Sequence, residues 1–215
     1  MAGSKGDAYE NTVLDTALGN GSPASLYWAL VQEFTGDGTF TEASGGSYAR
    51  VAQTNNSTNF PAASGGSKSN GTTVTFVQAT ADIAADPNRI HGWALMDASS
   101  GGNARYWGEF VGTAKVFVVK ASTDIFTSIG HGYTNGTKVR VWSAGPALPS
   151  GIAQFTTYYI INATTDTFQF SATSGGSAVD VTADGGGLIA TDLAQEYRLG
   201  NTFVIGAGSV TISED

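Results

Sequence analysis

His91 and His131 are the only histidines in the 215-residue chain, and it contains no cysteine. A transition-metal centre is built from several such ligands at short spacings, and neither histidine has a second one near it. Both are therefore read as structural or surface residues. A nucleophilic serine would sit in a Gly-x-Ser-x-Gly elbow, a pattern that Ser99-Ser-Gly-Gly102 does not make. Gly66-Ser-Lys-Ser-Asn-Gly71 has the outline of a phosphate loop, but it lacks a glycine directly before Lys68 and no helical pattern follows. It reads as a flexible hairpin connection. Asp166, Asp180, Asp184 and Asp192 lack the alternating spacing of a calcium loop and read as solvated turns. Glycoside cleavage would need two carboxylates facing each other across a groove, and the spacing of Glu33, Glu42, Glu109 and Glu196 does not place any two of them together. The expectation is a protein with no catalytic residue, no metal and no cofactor.

Aromatic side chains are the remaining candidates. Trp28, Tyr48, Phe60, Trp93, Tyr106, Trp107 and Phe110 gather in the first half, and Tyr158, Tyr159, Phe168 and Phe170 in the second. Exposed rings could form a sugar platform, but strand alternation turns half of any such set inward, so core is the default reading.

These residues must be positioned by β-structure. Charged residues make up 13% of the chain, about half the usual ~25%. The 29 glycines, with abundant Ser, Thr and Asn, supply turns between short strands. Eighteen acidic residues against ten basic ones give a net charge of −8 with no basic run, which argues against a nucleic-acid partner. The apolar runs, such as Val116-Phe-Val-Val119, are too short to span a bilayer. Residues 1–7 lack the apolar stretch of a secretory signal. A soluble, cytoplasmically made protein with no membrane partner is expected.

One helix is predicted, with Asp7 as its cap, Glu10 as the reciprocal capping-box partner, and Gly19-Asn-Gly21 as its end. Tyr9, Val13, Leu14, Ala17 and Leu18 share one face of it. Strands are then predicted at 26–32, 48–53, 73–77, 92–96 and 105–111, separated by Gly/Ser/Asn clusters. A different unit starts near Lys115. It carries two Asp-x-Phe signatures (Asp124 with Phe126, Asp166 with Phe168), each marking the start of a strand with one inward aromatic. The fold class expected is mainly β: a β-sandwich or small barrel with one N-terminal helix, plus an inserted small β-domain. The inserted domain is placed at 115–190, between a first domain of 1–114 and 191–215.

Several blocks carry a family resemblance. They are Asp7-Ala-Tyr-Glu-Asn-Thr-Val-Leu-Asp15, the low-charge run at 47–76, the stretch 91–103 and Tyr106-Trp-Gly108. Together they resemble small structural proteins of tailed bacteriophages, a group often labelled tail fibre proteins. Residues 115–181 are similar to a small β-module that recurs in phage head and tail components, and the closing segment 200–213 resembles the last strands of the first group. The resemblance implies a non-enzymatic virion protein, assembled in the host bacterial cytoplasm. Its first domain would anchor it to the particle and the module would project. Capsid decoration, a cement role stabilising the assembled shell, ranks first. The alternative is a tail-associated fibre, adaptor or adhesin that contacts host surface glycan. The implied partners are other virion proteins, the major capsid protein foremost, and further copies of the chain in a homo-oligomer. The virion-contact residues expected are Tyr9, Leu14, Tyr48, Arg50 and Val51.

Overall fold

The computed structural model describes residues 6–36, 38–84, 89–143 and 147–213, and the protein is mainly β with one N-terminal helix. It divides into two compact units, one formed by 1–109 with 195–215 and the other by 110–194.

The first unit opens with α1 (Asp7–Ala17). Its N-cap is Gly6, with no side-chain cap, so Asp7 and Glu10 do not form the capping box; both sit in the first turn, where carboxylates favour the helix dipole. The helix stops at Leu18, and Gly19 takes a positive φ of 94°. Leu14 and Leu18 are buried, whereas Tyr9 is exposed.

The long strand β1 (Asn20–Gly36) is the spine of the unit. Along one edge, its first half pairs with β3 (Val51–Asn56) and its second half with β2 (Thr39–Glu42). Along the other it pairs with β6 (Gly92–Met96), which pairs with β7 (Ala104–Glu109). All these pairings are antiparallel. Trp28, Ala29, Leu30 and Val31 are all buried, so the middle of this strand is covered on both faces, and β6 is buried throughout. Gly92 occurs where two backbones converge: a Cβ there would collide with the Gly108 carbonyl oxygen and lie 2.6 Å from the Phe34 ring. Two further short strands, β4 (Ser67–Ser69) and β5 (Val74–Thr75), await partners from the far end of the chain.

The second unit is a closed six-stranded antiparallel barrel in the order β10-β11-β12-β9-β8-β13. Its strands are β8 (Lys115–Lys120), β9 (Ile125–Thr127), β10 (Lys138–Trp142), β11 (Thr157–Ile161), β12 (Thr167–Ser171) and β13 (Gly185–Thr191). The barrel is too narrow for anything but side chains inside, and Phe117, Phe126, Val139, Val141, Ile160, Phe168, Phe170 and Ile189 fill it. The two Asp-x-Phe signatures meet: Phe126 pairs in register with Phe168, with rings stacked at 5.7 Å and 7°. Closure depends on β13, which pairs with β8 on one side and β10 on the other. Its Gly185-Gly186-Gly187 start carries no strand signal in sequence.

The chain then returns to the first unit. β14 (Val204–Ile205) pairs with β5, and β15 (Thr211–Ser213) pairs with β4. Phe203 meets Phe76 edge-on at 6.1 Å, and Tyr197 meets Phe203 at 5.8 Å. The Tyr197 hydroxyl donates to the carbonyl of Val77.

Segment 66–71 is not the flexible connection expected from its composition. Its centre is β4, and Lys68 is buried there, with Nζ 2.6 Å from Asp15 Oδ1 on α1. A buried ammonium requires a paired charge, and the helix supplies it. Asp15 also accepts the Ala63 N–H at 2.9 Å, and Asn11 accepts that of Gly66 at 3.0 Å, so a largely polar row docks the helix. The Lys68 hydrogen bond, helped by the Ala63 N–H, holds the Asp15 carboxyl below its ordinary value of 3.8. The unfolded chain therefore takes up this proton first. The latch contributes in full above about pH 4 and fades as pH falls through the folded-state value. Asp15→Asn is expected to lower the protection of α1 amides at neutral pH and to flatten the acid limb of urea stability against pH. An unchanged acid limb would assign that limb to other carboxylates.

Candidate functional site

The five residues singled out for particle contact do not share one surface. Tyr9 is exposed on α1, whereas Leu14 on the same helix is buried in the core. Tyr48, Arg50 and Val51 lie just before and at the start of β3, and all three are partly buried.

Arg50 is the centre of a clamp. Its guanidinium grips Glu42 at the end of β2 through both arms, Nε to Oε1 at 2.9 Å and Nη2 to Oε2 at 2.6 Å. Nη1 donates to the carbonyls of Ala98 and Gly101, each at 2.7 Å. The Arg50 side chain is 7% exposed and that of Glu42 25%. Tyr48 completes the arrangement. Its hydroxyl donates to Glu42 Oε1 at 2.9 Å and accepts the Leu30 N–H of β1 at 3.0 Å. Burial pushes the Tyr48 phenol well above its ordinary pKa, and the Glu42 hydrogen bond and charge raise Arg50 further. One side chain thus joins the β2 hairpin, the approach to β3 and the loop after β6. A planar fork with this many fixed acceptors cannot be replaced by the point charge of lysine.

Two shallow grooves of about 400 and 360 Å³ flank the clamp, one between Tyr48 and the Ser99–Gly101 loop, the other between Thr39-Phe40 and Gly102-Asn103. The clamp's polar atoms are turned on one another. Both Glu42 carboxylate oxygens are bonded to Arg50, so Glu42 serves as a brace, and the grooves are otherwise lined largely by small and hydroxyl residues, backbone and Phe40. Sequence reading singled out Arg50 and Tyr48 and missed Glu42 and the 98–101 carbonyls. No local pattern links Arg50 to a loop 48 residues away; only the β1–β6 pairing brings them together.

The remaining chemical candidates also have structural placements. Tyr133 N–H donates to His131 Nδ1 at 2.9 Å, which leaves the proton of the neutral ring on Nε2. That nitrogen is buried without a hydrogen-bond partner, and the ring stacks on Tyr133 and meets Phe168 edge-on. His91 is partly buried before β6, its N–H bonded to the Val31 carbonyl at 2.8 Å. Glu196 pairs with Arg198 at 2.7 Å, and Glu33 is exposed.

The loop aspartates brace the barrel. Asp124 accepts the Val181 N–H, Asp166 that of Gly130, Asp184 that of Ala121, and Asp192 that of Ala194, at 2.8 to 2.9 Å. Among the described residues no group of three or more His, Asp or Glu is placed to hold a metal ion. No described helix is long and apolar enough to cross a membrane. Trp28, Phe60 and Trp93 are core, while Tyr106 and Trp107 are partly exposed along β7.

No curated protein and no solved structure matches the chain. A family model does, that of the podophage GP4 fiber I protein gp80, over residues 4–127. The match takes in α1, all of β1 to β7 with the Arg50 clamp, and the first two barrel strands. Covering more than half of the 215 residues, it shows that this chain belongs to the podophage GP4 fiber I protein gp80 family, a family of fibre-type structural proteins of the phage virion.

Proposed function

We propose that this protein is a component of a tail-associated fibre or adaptor, joined to the particle through its first unit and presenting its barrel outward. The observation that carries the reading is the family match, whose description names a fibre and whose span takes in residues 4–109 of the first unit. That description favours the tail-associated role over the capsid decoration that sequence reading alone ranks first. The first unit suits an anchoring task. The middle of its long spine strand is buried on both faces, and the Arg50 clamp stiffens the loops that flank it. Its grooves fit a neighbouring virion protein, and the barrel surface is free to meet host glycan. In this reading the role is structural, and the mechanism is multivalent burial of modest contacts repeated over many copies.

Immunogold labelling of intact particles tests the assignment. Label confined to the tail or collar is the expected result. Label spread evenly over the head would overturn it in favour of capsid decoration, and capsid-stability assays on particles lacking the protein would then follow.

A further inference from the structure

An asparagine followed by glycine is the pair at which a polypeptide most readily modifies itself. With no side chain on the glycine, its backbone nitrogen can approach the preceding carboxamide carbon closely. The chain has three such pairs, Asn20-Gly21, Asn70-Gly71 and Asn135-Gly136. The fold disables two of them. Asn70 is buried, with Nδ2 donating to the Thr72 and Gly206 carbonyls at 3.0 and 2.7 Å and Oδ1 accepting the Val210 N–H at 3.0 Å. The Gly71 N–H donates to the Asn59 carbonyl at 2.7 Å. Asn135 and Gly136 are exposed, but the Gly136 N–H donates to the Ile160 carbonyl at 2.8 Å, and Asn135 Oδ1 is held by the Ala163 N–H at 2.9 Å. A nitrogen fixed in this way must break its own hydrogen bond before it can turn on the carboxamide. Asn20-Gly21 differs on both counts. Both residues are exposed at the start of β1, where the register with β3 passes from Asn20↔Asn56 to Ser25↔Thr54 and leaves Gly21 without a partner on β3. Asn20 Oδ1 accepts the Ser22 N–H at 3.0 Å, closing a ring around the Gly21 nitrogen that keeps the carboxamide beside it. The same hydrogen bond polarises the carbonyl and supports the negative charge that an attack would place on its oxygen.

We propose that Asn20 is a site of spontaneous deamidation, and that the change loosens the end of α1. The Gly21 nitrogen gives its proton to solvent and forms a bond to Asn20 Cγ. The Cγ–Nδ2 bond then breaks, and Nδ2 leaves as ammonia after taking a proton from water. Water opens the resulting five-membered imide at either carbonyl, giving an aspartate or an isoaspartate. Water is the co-reactant, and nothing is oxidised or reduced. The consequence falls on the helix. In the unmodified chain Asn20 Nδ2 donates to the Thr16 carbonyl, one of the last-turn acceptors that the helix itself leaves unpaired. The product removes that donor and sets a carboxylate against the negative end of the helix dipole. No basic residue stands in the last turn to offset it. The reaction runs one way, so the end of α1 frees with age. The inference does not depend on whether the protein sits on the tail or the head.

The three pairs make the test internal to one chain. The full-length protein is incubated in mildly alkaline buffer made with heavy-oxygen water, then digested and mapped by mass spectrometry. In the native chain Asn20 is expected to take up label about tenfold or more faster than Asn70 or Asn135. In concentrated urea the three rates are expected to converge, since the fold alone separates them. Native-state labelling at Asn70 or Asn135 as fast as at Asn20, or none at Asn20, overturns the site. The consequence for the helix is read by hydrogen exchange. Asn20→Asp is expected to lower the protection of α1 amides while β6 keeps its own, and Asn20→Ala, which removes the donor without adding charge, is expected to lower it less. Unchanged α1 protection in Asn20→Asp overturns the loosening. If that variant fails to fold, α1 protection is compared between fresh and aged wild-type chain, and equal protection overturns it in the same way.

Discussion

Arg50→Ala is expected to lower the stability of the first unit by about 3 kcal/mol, the lower end of the cost of breaking a buried ion pair. A drop of roughly 10 °C in its thermal midpoint would follow. The lower end applies because Glu42 keeps 25% of its side-chain exposure and can recover some hydration, whereas the carbonyls of Ala98 and Gly101 lose a charged donor outright. Arg50→Lys is expected to recover less than half of the loss, since one ammonium cannot span both carboxylate oxygens and two carbonyls. A double-mutant cycle makes the argument specific. Replacing Arg50 and Glu42 together by methionine is expected to cost less than replacing Arg50 alone, because no charge is then left unpaired. If the double variant is as unstable as the sum of the singles, the clamp is not a coupled unit. Tyr48→Phe, which removes one donor to Glu42 and one acceptor for Leu30, is expected to cost about 1–2 kcal/mol.

Phe126→Ala is expected to be the most damaging change in the barrel, at about 3–5 kcal/mol. Phe126 is completely buried, and its ring centroid lies 4.2 Å from that of Phe170, 5.5 Å from Phe117 and 5.7 Å from Phe168. Truncation leaves a cavity lined by three rings that cannot collapse into it, because each is fixed by its own strand in a closed wall. Phe126→Leu should cost far less, since most of the volume is kept. Hydrogen exchange gives the decisive reading. Protection is expected to fall across 110–194 while amides of β1 and β6 keep theirs, as their core of Trp28, Leu30, Trp93 and Leu95 belongs to the other compact unit. Uniform loss over both units would mean that the two unfold as one.

Residue chemistry alone carried much of the fold because the relevant signals are local. Low charge, glycine-punctuated β-branched runs and a single helical period are properties of short windows, and they suffice for a mainly β chain with one N-terminal helix. The Asp-x-Phe pairs were legible for the same reason: each aspartate turns its carboxylate to a backbone N–H, and each phenylalanine, two residues on, faces inward. The family was legible too, because its blocks lie in contiguous stretches of the first half.

What the sequence did not disclose depends on distant partners. Three consecutive glycines carry no strand propensity, and β13 is a strand only because β8 and β10 offer it two edges. Lys68 looked like a loop residue because its charge suggests solvent; the carboxylate that allows its burial lies 53 residues away on α1. The capping box failed because Gly6, rather than Asp7, takes the cap position, which leaves Asp7 inside the first turn. The Arg50 clamp likewise depends on a hairpin and a loop that become neighbours only once β1 has paired with both β2 and β6. Which residues could be strand, turn or helix was therefore written in the local chemistry. Which charges are buried and which strand closes the barrel were decided by tertiary pairing, because each requires a partner that no local window contains.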